Sequence, residues 1–528
     1  MAKRFEFGEI NLTTGGDETP SATRPETPFL IAIFSDLRGR SIGDRDHSGP
    51  AEHKALLVER DNFDEVLAKL KPEIALRLGD SLLQLQFSSL DDFHPDQVFQ
   101  RVAIFARLRK LRARAADPAT FPEVAKELGL HLKQSTATSA EPQRHATSAV
   151  DAVVSQLATG SLLDSMVEET TAQQDAVGQR PRSADALDSF VRRVTGPHLV
   201  ASADPRQSEA LAMIDRVLTA QMRALLHAPD FQALEAAWRS VYFLVRRVET
   251  SAQLKLFLVD ISKAELEAEF KSSQDLSGTG TYRLLVEKSV GTPGADPWAL
   301  IIGNYEFGPT QEDAELVVKL TKIANSADAP FLAAANPHLL GCESLTDAPH
   351  PREWTLPPDT KGAAAWAALR ALPEAAWAGL ALPRFLLRLP YGKKTDPIES
   401  FDFEEMTHPP AHEDYLWGNP AFACALLLAQ SFSEYGWDMR PGTHSQIDGL
   451  PLHLYENDGE SELKPCAEAL LTEEAAERVM ECGSMPLVSM KWQDAVRVVR
   501  FQSIAEPLRA LAGQWVGGSN LSARFRRT

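Results

Sequence analysis

The sequence is poor in cysteine and contains no long apolar run. Its four cysteines, Cys342, Cys424, Cys466 and Cys482, stand singly without a CxxC pair, which excludes a zinc ribbon and a thioredoxin-like site. We expect reduced thiols, as in the cytoplasm. Acids and glycines interrupt the N-terminal segment before a signal-peptide core could form, and no later apolar run has membrane length. We therefore expect no direct membrane insertion.

Positive charge is also scarce. The chain has 54 basic and 73 acidic side chains, for a formal net charge of -19. Proteins that bind a phosphate backbone do so with clustered Lys and Arg. The charge balance therefore argues against a nucleic-acid partner.

Motifs for nucleotide and acyl chemistry are missing. There is no GxxxxGK[ST] motif and no GxSxG elbow, and the GTGTY segment at 278–282 lacks the strand and helix of a dinucleotide fingerprint. We assign no catalytic residue and no cofactor.

Two clusters leave a chemical alternative open. His408 and His412 lie four residues apart near several acids, which is compatible with a metal site, but the prolines between them forbid a regular helix and favour a solvated loop. The acids of SFDFEE, 400–405, are compatible with acid-base work, but we favour an exposed acidic loop flanked by core Phe401 and Phe403. Nearby Arg388 suggests salt bridges within or between chains.

Apolar runs alternate with helical patterns along the chain, which is 44% hydrophobic. Strand-like runs lie at 29–34, 254–261, 297–307, 329–336 and 377–386, and helix-compatible sequence separates several of them. Alternating strands and helices predict an α/β fold with a mainly parallel sheet covered on both faces.

The N-terminal part predicts a small α/β unit that ends in one long helix. A single face of that helix carries Val98, Val102, Phe105 and Leu108. A stripe this wide is not expected on a free surface. We predict that it docks the N-terminal part onto the rest of the chain.

Composition divides the chain into five parts: an arm at 1–27, a small α/β domain at 28–135, a polar linker at 136–160, a helical segment at 161–200 and a larger α/β domain at 201–528. In the arm, Phe5 and Phe7 alternate with polar residues. This pattern predicts a strand that adds to the sheet of a neighbour, and the alternative is a disordered leader. In the helical segment, one apolar side predicts either a docking peptide or an ordinary amphipathic helix. The residues on that apolar side are Leu162, Leu163, Met166 and Val167.

Three blocks carry a family resemblance in the second half: 230–250 (DFQALEAAWRSVYFLVRRVET), 386–415 (LLRLPYGKKTDPIESFDFEEMTHPPAHEDY) and 482–507 (CGSMPLVSMKWQDAVRVVRFQSIAEP). In the same order, they resemble the large sheath subunit of type VI secretion systems, TssC/VipB. Residues 27–40, 60–78 and 87–112 resemble the small subunit, TssB/VipA. One chain thus resembles both sheath partners.

The resemblance implies a structural component of a contractile sheath, and not an enzyme, that works in the cytoplasm. It implies as partners the sheath subunits or further copies of itself, the inner tube protein, the baseplate and the recycling AAA+ ATPase. The chain stops before the family's C-terminal region, so we expect a C-terminally truncated large-subunit part that does not polymerise alone. The alternative is an adaptor or cap that binds the sheath, baseplate or ATPase without polymerising.

Overall fold

The apolar run near the N-terminus forms a central strand of the main sheet. In the computed structural model, which describes residues 27–39, 53–78, 81–130, 204, 206–355 and 361–515, this strand is β1, Phe29–Ser35. All seven of its residues are buried. A continuous apolar strand of this kind is typical of a sheet that is covered on both faces.

The remaining strands and helices follow in chain order. The other strands are β2 Ala55–Val58, β3 Glu73–Leu78, β4 Ser81–Gln86, β5 Leu254–Asp260, β6 Trp298–Phe307, β7 Phe331–Ala335, β8 Ala378–Leu382, β9 Phe385–Leu386, β10 Trp417–Gly418, β11 Gln446–Ile447, β12 His453–Asn457, β13 Glu460–Lys464, β14 Ser484–Ser489 and β15 Val496–Val498. The α-helices are α1 Phe63–Leu70, α2 Pro95–Arg101, α3 Ile104–Ala116, α4 Phe121–Glu127, α5 Arg206–Leu226, α6 Pro229–Arg247, α7 Lys263–Ser272, α8 Gln311–Ala327, α9 Lys361–Arg370, α10 Pro420–Tyr435 and α11 Glu473–Glu481. A short helical turn, Gly280–Tyr282, runs on as a π-helix, Arg283–Val290.

Nine strands form one sheet in the order β11-β15-β14-β8-β7-β6-β1-β5-β2. The six strands from β14 to β5 are parallel, and the pairings at both edges are antiparallel. The predicted α/β class with a mainly parallel sheet is confirmed. Strands β3 and β4, β9 and β10, and β12 and β13 form three separate two-stranded ladders.

Side chains of β1 enter two different cores, one on each face of the sheet. Phe29, Ile31 and Ile33 pack with α1, α5, α6 and α10 on one face. Leu30, Ala32 and Phe34 pack with α7, α8, α9 and α11 on the other. Because successive strand residues point to opposite faces, one strand contributes to both cores.

The helix predicted to carry Val98 through Leu108 is in fact two helices. Helix α2 ends at Arg101, Val102 has extended backbone angles (φ -82, ψ 127), and α3 starts at Ile104. In one continuous α-helix, Phe99 and Phe105 would point about 120° apart around the helix axis, because six residues make about one and two-thirds turns. The break lets both rings reach the same core, with centroids 5.9 Å apart.

No helix among the described residues combines the length and apolarity that a bilayer crossing requires.

Candidate functional site

The candidate site is the contact between the N-terminal region, up to residue 130, and the C-terminal region, from residue 206. Strand β1 of the first region lies between β5 and β6 of the second, with Ile31 opposite Leu256 on one side and Leu300 on the other. Just past β1, the indole Nε1 of Trp238 donates a 3.0 Å hydrogen bond to the Leu37 carbonyl oxygen. The two sequence regions therefore share one sheet.

Aromatic rings extend this contact along α6. The ring of Phe63 in α1 packs edge-on against Trp238, with centroids 5.8 Å apart. Phe87 and Phe93 stack on each other at 4.0 Å, and both meet Phe231 at the start of α6. Edge-on and stacked pairs of this kind add to the stabilisation that area burial already supplies.

The predicted apolar stripe lies against the same core. Val98, Val102 and Phe105 are buried, and Leu108 is half-buried against them. Their core includes residues of both regions. The structure thus brings these four residues together, although they lie on two helices and not on one.

Polar interactions between the two regions lie beside this hydrophobic contact. Arg112 of α3 pairs with Asp215 of α5, Nε to Oδ1 at 2.6 Å. The carboxylate of Asp96 in α2 accepts hydrogen bonds from the backbone amides of Glu399 and Ser400, at 3.1 and 2.9 Å. The family-like 386–415 block is thereby tied directly to the N-terminal region.

That block also holds a buried ion network. The Arg388 guanidinium binds both oxygens of Glu405, at 2.7 and 2.9 Å, and reaches Glu235 Oε1 of α6 at 2.9 Å. Arg239, one turn after Glu235, binds the same Oε1 at 2.6 Å. Both carboxylates are fully buried, so two cations and two anions compensate one another without help from water.

The electrostatics of the network follow from burial and pairing. Burial, the largest single cause, would raise the pKa of Glu405, but the Arg388 charge and the hydrogen bonds from Arg388 and the Tyr391 amide together outweigh it and lower that pKa to about 2. Burial would likewise lower the pKa of Arg388, but Glu235 and Glu405 raise it well above its ordinary value. His227 lies 3.6 Å from Glu405, beyond hydrogen-bond range.

Tyr391 joins the network to the N-terminal region. Arg239 Nη2 donates to its hydroxyl at 3.1 Å, and the Arg388 guanidinium lies 4.3 Å from its ring centre. The imidazole of His94, at the start of α2, packs edge-on against the same ring at 4.9 Å. Burial raises the pKa of Tyr391 to about 12, so the hydroxyl is neutral.

The prediction of an exposed acidic loop was correct for Asp402 and Glu404 and wrong for Glu405. Phe401 and Phe403 are buried, as expected, and Asp402 and Glu404 are exposed. Glu405 turns inward because Arg388 is available to neutralise it.

His412 is engaged by protein groups. Its Nε2 lies 3.1 Å from Glu468 and its Nδ1 lies 2.7 Å from the Lys464 ammonium. Within the part of the chain that the structure describes, no set of three His, Cys, Asp or Glu side chains is arranged to hold a metal ion.

The other predicted interaction residues lie outside the described residues. They are Phe5 and Phe7 of the arm and Leu162, Leu163, Met166 and Val167 of the helical segment.

The sequence patterns described above did not single out Glu235 and Arg239. A usable signal existed: Glu235 lies on the apolar face of α6, among Phe231, Leu234 and Trp238. A carboxylate in that position needs a buried cation. Arg388, which stands inside the apolar run LLRLPY, is the matching signal.

Two family models match the chain in tandem, and the larger match is to a tail-sheath domain. The model described as EvpB/VC_A0108, tail sheath N-terminal domain, matches residues 208–505, and the model described as Type VI secretion system, VipA, VC_A0107 or Hcp2, matches residues 10–133. The first match covers more than half of the chain. The chain belongs to the VipB sheath family and carries a VipA-like region ahead of its VipB region.

Two curated relatives agree with this assignment. The type VI secretion system sheath protein TssC1 of Pseudomonas aeruginosa is 35% identical over 320 residues, which cover 60% of this chain and 64% of TssC1. TssB1 of the same organism, also a type VI secretion system sheath protein, is 29% identical over 103 residues, which cover 18% of this chain and 59% of TssB1. The chain thus spans less than two thirds of the length of either relative.

Proposed function

We propose that this chain is a fused protomer of a type VI secretion contractile sheath, in which one polypeptide supplies both the small-subunit and the large-subunit parts. The observation that carries this proposal is the position of β1, a strand of the VipA-like region held between two strands of the VipB region. A fused chain makes this pairing intramolecular, which raises the effective concentration of one part for the other.

Function on this proposal is mechanical. The protomer stacks with sheath subunits or with its own copies, and a change between two packed arrangements of the lattice drives protein translocation without nucleotide chemistry in this chain. The inner tube, the baseplate and the recycling AAA+ ATPase are the further partners that the family implies. We place this work in the cytoplasm, where the sheath relatives of this family would assemble.

Electron microscopy of the purified full-length protein tests the proposal. Gold-labelled protein is imaged alone and with separately purified small and large sheath subunits. We expect the label along ordered tubes in at least the mixed sample. Label that stays in discrete particles under both conditions would contradict a sheath protomer and favour an adaptor.

A matched pair of variants controls for folding. Ile31→Asp places a charge in the fully buried centre of the sheet and should abolish incorporation. Leu82→Ser changes a side chain that is 63% exposed and should leave incorporation unchanged.

A further inference from the structure

A cleft of about 550 Å³ opens where β1 and β6 end. After β1 the chain continues to β2, which lies beyond β5 on one side of β1 in the sheet. After β6 the chain continues to β7, which lies on the opposite side. Adjacent parallel strands whose connections run in opposite directions leave a crevice outside their carboxyl ends, and ligands of open α/β sheets bind in such crevices. The volume is also that of a small-molecule or side-chain site.

The wall formed by α6 is made of short side chains. Ala233, Ala236 and Ala237 line the cleft, followed one turn later by Ser240. Ser240 is 1% exposed, and its hydroxyl oxygen has no hydrogen-bond partner among the described residues. Buried polar atoms are nearly always paired, so this hydroxyl is suited to hydrogen-bond a polar group of a ligand in the cleft.

The charged residues around the cleft are not balanced. Lys263 already binds the Asp313 carboxylate and donates to the Glu306 carbonyl oxygen at 2.8 Å. Arg384 lies 2.5 Å from Glu468. Both cations that line the cleft are therefore neutralised by carboxylates from outside it.

Three carboxylates line the cleft: Asp36 accepts hydrogen bonds from the backbone amides of Arg38 and Gly39, at 3.2 and 2.9 Å, and the other two, Glu306 and Glu267, have weaker partners. Glu306 accepts a hydrogen bond from the neutral amide of Asn336. Glu267 lies 3.4 Å from the ammonium of Lys271, whose side chain is 64% exposed, and an exposed pair of this kind contributes little. The cleft therefore presents negative charge above an apolar wall.

We propose that this cleft binds an aliphatic cation, an ammonium or guanidinium group carried on a short alkyl chain. The methylenes pack on the alanines of α6, the Ser240 hydroxyl oxygen accepts an N–H, and Glu306 with Glu267 neutralises the charge. The inference is independent of the proposed sheath role. It requires both sequence regions, because Ser35 and Gly39 of the N-terminal region also line the cleft.

Isothermal titration calorimetry on the full-length protein at low salt tests the proposal. The probes are N-acetyl-arginine amide, which imitates a partner's side chain, and cadaverine, which imitates a free polyamine. N-acetyl-citrulline amide is the neutral isostere of the arginine probe. We expect at least one cation to bind, binding to weaken with added salt, and the citrulline probe to bind at least about tenfold more weakly.

Two variants locate the site. Glu306→Gln keeps an acceptor for Asn336 and should weaken cation binding about tenfold, whereas Ala233→Leu, at an exposed helix position, should block the cleft without disturbing the core. Glu456→Gln, an exposed carboxylate on β12 outside the cleft lining, is the matched control and should bind as the parent does.

Each result of these titrations either supports or contradicts the proposal. Binding of the arginine probe alone identifies a partner side chain, and binding of cadaverine alone identifies a free polyamine; both support the proposal. Equal binding of the citrulline and arginine probes, binding of neither cation, or a Glu306→Gln variant that binds unchanged would overturn it.

Discussion

Replacement of Arg388 by methionine should destabilise the protein strongly. Methionine keeps much of the length and packing of the side chain but leaves Glu235 and Glu405, both fully buried, with one cation fewer. Removal of one partner from a buried ion pair typically costs about 3–5 kcal/mol. The pKa of Glu405 gives a similar figure, because a fall from 4.5 to about 2 corresponds to about 3 kcal/mol at about 1.4 kcal/mol per pKa unit.

Urea unfolding at pH 7, followed by tryptophan fluorescence, measures this cost as a lower midpoint. Arg388→Met combined with Glu405→Gln should recover part of the loss, because the second change removes one of the two uncompensated charges. Lys393→Met is the matched control: it removes an exposed partner of Asp402 and should leave the midpoint unchanged. A parental midpoint for Arg388→Met would refute the reasoning.

The same network sets the sign of the acid response. The folded-state pKa of Glu405 lies below its ordinary value, so its contribution is fully present above pH 4.5 and is lost as the pH falls toward 2. In Arg388→Met, the charge that contributes most to lowering the pKa of Glu405 is gone, so burial raises that pKa. Between pH 5 and pH 3 the parent should lose stability faster than the variant, and parallel pH profiles would contradict this.

Three further predictions concern the contact between the two regions. Phe105→Asp should lower the stability by several kcal/mol, because it buries an unpaired charge, whereas Leu82→Asp at an exposed site should not; equal melting temperatures for the two variants would count against the burial of Phe105. Trp238→Phe should cost about 1–3 kcal/mol in urea unfolding, because it leaves the buried Leu37 carbonyl unpaired, and an unchanged midpoint would show that this bond contributes nothing. Proteolytic cleavage engineered near Thr147 should leave the two fragments co-eluting on size exclusion, because β1 stays paired on both sides; two separate species would contradict the shared sheet.

The local pattern of the sequence determined most of the elements that lie in the sheet. Strands β5, β6, β7 and β8 fall within apolar runs that the sequence predicted, and β1 extends one residue beyond its run at 29–34. Short apolar runs identify buried strands because both faces of the strand must be covered. The same reasoning missed β2, Ala55–Val58, whose four residues are too few to show a period.

Pairing was decided only in the tertiary structure. The sequence of residues 29–35 does not predict that they pair with residues 254–260 and 298–307, because an apolar strand can pair with any other apolar strand of suitable length. The choice depends on how the helices from both regions cover the two faces. The sequence therefore suggested two adjacent α/β parts, and the structure joined their strands in one sheet.

In the candidate site, the sequence alone likewise did not predict which charged side chains are buried together. The sequence by itself determined the family resemblance, the α/β class and the apolar stripe from Val98 to Leu108. It placed Glu405 on the surface because a carboxylate in a loop is ordinarily exposed. Only the folded chain brings Arg388 and, from 153 residues earlier, Glu235 to one point, and the mutual neutralisation of these charges is what makes burial of Glu405 possible.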